Sequence, residues 1–134
     1  METVNQIEYN GALYNIQDAE AQKSLVYSQN ETDTGKIWID GKKIYRKVID
    51  CGYLLNKNTK IVKHNIKNMD TITKINGIGH QDNTDYLPIP YVYEVVQGQG
   101  PITLYANKTN IVIRTHGDRT RVKVLITLEY TKTN

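Results

Sequence analysis

Val122-Lys123-Val124-Leu125-Ile126-Thr127-Leu128-Glu129-Tyr130 is the stretch that decides the fold. Val122, Val124, Ile126, Leu128 and Tyr130 fall on one side of an extended chain, and Lys123, Thr127 and Glu129 on the other. A period of two is the signature of a half-buried strand. Working backwards, His116-Gly117-Asp118 marks a turn. Before it, Asn110–Thr115 and Ile102–Ala106 read as strands joined around Asn107-Lys108. Tyr91–Val96 reads as another strand, set off by the turn Gly98-Gln99-Gly100-Pro101. Gln81–Pro90 reads as a long loop, because Pro88 and Pro90 cannot donate to a central ladder. Met69–Ile75 alternates and Gly77-Ile78-Gly79 breaks it. Thr59–Ile66 is a further strand, after a turn at Asn56–Thr59.

Two β-rich runs flank Asp40-Gly41, which predicts a tight hairpin through 35–50. Its faces are mixed. Ile44, Arg46 and Val48 oppose Lys43, Tyr45 and Lys47, so the hairpin is expected to lie partly at an interface. Seven or eight short strands, with turns about every ten residues, predict an all-β antiparallel sandwich of jelly-roll-like form. Long helical stretches never alternate with the strands, which excludes a parallel α/β sheet.

The first 34 residues read differently. Asn10-Gly11 between Val4, Ile7, Tyr9 and Leu13, Tyr14, Ile16 is a hairpin signal. Asp18 can cap a short helix running to Leu25. Ser28–Gly35 is polar and reads as a linker. The expected organisation is an attachment segment and linker over 1–34 and a sandwich head over 35–134.

The chain has 134 residues, enough to bury a core without disulfides or metals. Cys51 is the only cysteine, so no internal disulfide can form, and the thiol reads as a small core hydrophobe. Met1–Gln6 lacks the basic end and apolar run of a secretory signal. No stretch is long and apolar enough to span a membrane. Synthesis in a reducing cytoplasm is therefore expected. Net charge is +3, with both signs interspersed, so a nucleic-acid partner is not expected. Arg114, Arg119, Arg121 and Lys123 straddle a turn and read as a solvated hairpin tip.

No catalytic constellation stands out, and neither a metal nor a cofactor is expected. His64, His80 and His116 are far apart and read as loop residues. Gln81–Asp85 lacks the central Gly and distal Glu of a calcium loop. The aromatic choice is unusual: 10 Tyr, 1 Trp and no Phe. Tyr joins a large apolar body to a hydrogen-bonding tip and suits wet interfaces. Tyr86, Tyr91 and Tyr93, with Asp82 and Asp85, form a candidate sugar-binding cluster. The alternative is that these rings fill the core and subunit contacts. Tyr9, Leu13, Tyr14, Ile16, Trp38 and Tyr45 are the candidate assembly and attachment residues.

Several segments resemble proteins of bacteriophage virion appendages, of tail-fibre, receptor-binding or head-fibre type. Trp38–Lys47 resembles a "WIDGKPIYRK" hairpin, with Lys43 where Pro is common. Leu125–Thr133 resembles an "LEYTKT" terminal strand. Lys63–Ile72 resembles an "HGI-x-N-x-D-x-I" segment, with Asn65 in place of Gly. Ile7–Ala21 resembles an N-terminal entry found in phage fibre and structural proteins. The resemblance implies a β-sandwich head and a homotrimer. It also implies an N-terminal part that docks to other virion proteins: capsid, tail or baseplate. The expected location is the virion, after synthesis in the bacterial host, and the expected external ligand is a host-surface glycan. Two alternatives remain: a capsid head fibre or decoration protein with no receptor role, and a free carbohydrate-binding module.

Overall fold

The computed structural model describes residues 25–92 and 100–133. Among these, eight strands form two antiparallel sheets: β1 (Thr32–Ile37), β2 (Lys43–Tyr53), β3 (Thr59–Lys63), β4 (Met69–Gln81), β5 (Asp85–Ile89), β6 (Ile102–Ala106), β7 (Asn110–Thr115) and β8 (Val122–Lys132). One sheet has the order β1-β2-β8-β4-β5, the other β3-β7-β6. β2 pairs with β8, while β3, which follows β2, pairs with β7, which precedes β8. The two ribbons pass together from one sheet to the other, which is the wrap of a jelly roll. The fold is an all-β antiparallel sandwich.

The core lies where β8 faces the smaller sheet. Val122, Val124, Ile126, Leu128 and Tyr130 are all fully buried, as their alternation predicts. Ile102, Ile111 and Ile113 meet them from the other sheet, and Ile49, Cys51, Leu54, Leu87 and Ile89 complete the cluster. Gly77 and Gly79 do not break β4. They sit in register beside Ile126 and Val124 on the inner face. A Cβ at Gly77 would come within 2.4 Å of Ile126 Cδ1, and one at Gly79 within 2.9 Å of Val122 Cγ1. Glycine here makes room for large neighbours rather than for a turn.

Three other expectations change. Gln81–Pro90 is not a long loop, because β4 turns at Asp82-Asn83 into β5. Both turn residues have positive φ (54° and 62°), which Asp and Asn tolerate. Pro88 fits because β5 is an edge strand. The polar run 28–35 is not a loop throughout, since β1 starts at Thr32 and the boundary expected after residue 34 falls inside it. Its polar groups bond within the fold. Ser28 O accepts from Val48 N at 2.9 Å, and the Glu31 carboxylate accepts from Tyr130 Oη at 2.8 Å. Finally, His64 is not a loop histidine in solvent but is 1% exposed. Its Nδ1 accepts from Ile66 N at 3.2 Å, so Nε2–H donates to Asn107 O at 2.9 Å.

The expected N-terminal hairpin and helix, with Tyr9, Leu13, Tyr14 and Ile16, lie outside the described residues, as does Tyr93.

Candidate functional site

Tyr86, His80, Lys123 and Tyr53 lie side by side across β5, β4, β8 and β2, each paired with its neighbour in register. Inward residues of β8 fill the core, so this row belongs to the outer face of the five-stranded sheet. Tyr86 is 67% exposed and Tyr53 58%. The Tyr86 ring stacks on the His80 imidazole, with centroids 4.5 Å apart and planes 11° from parallel. Stacking fixes the exposed ring in place and lowers the entropy lost when a ligand lands on it.

A cleft of about 520 Å³ opens beside this row. It is lined by Tyr53, His80 and Lys123, by Asp82 and Asn83 of the β4–β5 turn, and by Thr120 and Arg121 of the loop before β8. Arg121 grips Asp82 with both ends of its guanidinium, one contact being Nε to Oδ1 at 3.0 Å and the other Nη2 to Oδ2. Lys123 Nζ lies 3.9 Å from Asp50 Oδ2. Thr120 donates to the Asp118 carboxylate from both its amide and its hydroxyl, which holds that carboxyl below the usual Asp value. The rim thus offers fixed donors and acceptors around two aromatic surfaces.

The outer face continues into a smaller apolar groove of about 270 Å³, lined by Val48, Ile78, Leu125 and Tyr27. Tyr27 packs over the Arg46 guanidinium at 4.3 Å, and Arg46 Nη2 donates to Val26 O.

The expected tyrosine cluster is therefore divided. Asp82 lines the cleft, whereas Tyr86 lies outside it and reaches it only through the ring stack on His80. Asp85 is exposed at the start of β5 and does not line the cleft. Tyr91 is half-buried, packs against the core and bridges to Ile102. The Arg119 guanidinium sits 5.4 Å from its ring. Arg119 is itself buried and donates to Gly100 O at 2.5 Å, so it does not join a solvated basic tip. The sequence alone does not bring Tyr53, His80 and Lys123 together, because they meet only through strand register. The usable signal was the parity of each strand.

Of the assembly candidates, Tyr45 packs against the core and stacks with Tyr130, at a centroid distance of 6.3 Å. Trp38 is half-buried at the β1–β2 turn, where its backbone bonds Lys42 and Gly41. Beside it, Ile37 and Ile39 are 60% and 91% exposed.

Cys51 is buried, and desolvation pushes its thiol up to about 11. That keeps it protonated and poorly nucleophilic. Among the described residues, no three His, Cys, Asp or Glu side chains are grouped to hold a metal ion.

The segments that carry the phage resemblance fold against one another. Arg46 pairs with Glu129 and Tyr45 with Tyr130, joining the hairpin to the terminal strand. Ile72 pairs with Tyr130 and Met69 with Lys132, bringing in the third segment. The ammonium of Lys42 bonds the carboxylate of Asp70, and Lys47 Nζ donates to His64 O at 2.8 Å. Asn65, at the position where the resembling segment carries Gly, has φ of 56°. Asn is among the side chains best tolerated there. No protein-family model, curated protein or solved structure matches the chain.

Proposed function

We propose that the chain is a non-catalytic structural protein of a bacteriophage virion: a small trimeric appendage. In this reading the N-terminal part docks to the particle and the sandwich binds a host-surface glycan. The observation that carries the binding half is the exposed row of Tyr86, stacked on His80, with Tyr53 across the sheet. An exposed ring stacks on the apolar face of a pyranose, while Asn83, Arg121 and Lys123 bond its hydroxyls. The virion setting is supported by the resemblance and by the packing of three resembling segments into one seam. That seam is a scaffold feature, so the resemblance speaks to architecture and the outer face to binding. The exposed Ile37 and Ile39 beside Trp38 supply apolar surface for contacts between copies.

A glycan array tests the binding half. The wild-type chain is expected to retain a subset of glycans, and Tyr86→Ala is expected to lose them by about tenfold or more in affinity. Equal retention by the variant would remove the outer face from the proposal.

A further inference from the structure

The row on the outer face says what shape of glycan it takes, an inference that rests on the glycan-binding reading above. Tyr86 stands on β5 and Tyr53 on β2, with β4 and β8 between them. Three strand spacings separate these strands by about 14 Å. One sugar ring cannot touch both tyrosines. β5 is an edge strand. At the other end, β1 pairs with β2 only from Lys43 to Arg46, so no described strand flanks Tyr53. Among the described residues, the row therefore runs from one edge of the sheet to the other with no strand closing either end.

The charges point the same way. Arg121 already faces Asp82, and Lys123 lies opposite Asp50. Asp118 adds a further carboxylate near Arg121, and Lys60 a further ammonium, whose Nζ donates to Tyr53 O at 2.6 Å. Both signs are matched around the cleft, so an ionic ligand would have to compete with an existing partner. A hydroxyl both donates and accepts and suits such a rim.

We propose that the outer-face row, with the cleft beside it, binds an internal stretch of a neutral linear oligosaccharide lying across the strands, with Tyr86, stacked on His80, holding one sugar and Tyr53 another further along. The test is titration calorimetry of the full chain with disaccharides and hexasaccharides of glucose, mannose, galactose and N-acetylglucosamine, each also in an acidic form carrying glucuronate. The expected result is a neutral hexasaccharide bound about tenfold more tightly than its disaccharide. Tyr53→Phe is expected to keep that gain, and Tyr53→Ala to abolish it. Thermal melts show whether each variant is folded. Equal affinity for both lengths, or preference for the acidic forms, would overturn this inference and leave glycan binding intact. Absence of binding by every probe would overturn both.

Discussion

At Gly77 and Gly79 two missing side chains decide how β4 packs. Ile126, Val122 and Ile89 occupy the space that Cβ atoms would need. Gly77→Ala is expected to destabilise the fold by about 1–3 kcal/mol through overpacking. Chemical denaturation of the two forms measures it, and an unchanged midpoint would show that the neighbours can move aside. Cys51 gives a second residue-scale expectation. A thiol raised to about 11 in the fold contributes stability that is fully present below the ordinary thiol value of about 8.5 and fades as pH rises through the folded value. Iodoacetamide at mildly alkaline pH should therefore alkylate native Cys51 slower, by on the order of a hundredfold, than the unfolded chain. Comparable rates would mean that the thiol is exposed. The glycines also show where the sequence misleads. Gly-x-Gly reads as a break from either residue alone, and only the partners Ile126 and Val124 reveal it as a continuous strand. His64 is similar: a turn-like neighbourhood suggests solvent, but burial depends on Asn107, 43 positions away.

Among the elements, β8 was legible because its alternation is consistent and both its neighbours are strands. β6 and β7 were legible for the same reason. β1 was only partly so, because an edge strand with Thr32, Asp33 and Thr34 has no apolar period to display. β5 was hidden by its prolines, which an edge position tolerates. The outer-face row was less visible still. Strand parity puts Tyr86 beside Pro88 and His80 beside Ile78, but the meeting of four strands needs register. The β1–β2 hairpin carries the element-scale expectation. Its tip leaves Ile39 91% exposed and Ile37 60% exposed, a large apolar display for so short a turn. If this tip lies between copies, Ile39→Lys should shift light-scattering mass from trimer towards monomer, with a monomer melting as cooperatively as the parent. A parent that is monomeric at all concentrations, or a variant that stays trimeric, would place assembly elsewhere.

For the whole molecule, the sandwich separates scaffold from surface. The segments resembling phage appendages build the β2–β8–β4 seam, held by paired rings, by Lys42 with Asp70 and by Lys47 with His64. The face that offers aromatic and polar groups to a ligand draws on β2, β4, β5 and β8 but mostly on residues outside those segments. Such a division lets one architecture carry different binding faces, consistent with function residing in sites placed on folds. The most direct measurement of the central claim is electron microscopy of phage particles with and without this chain, paired with adsorption to host cells. The expected result is that particles lacking it still assemble, lose a discrete appendage and adsorb less. Particles unchanged in both appearance and adsorption would contradict the account.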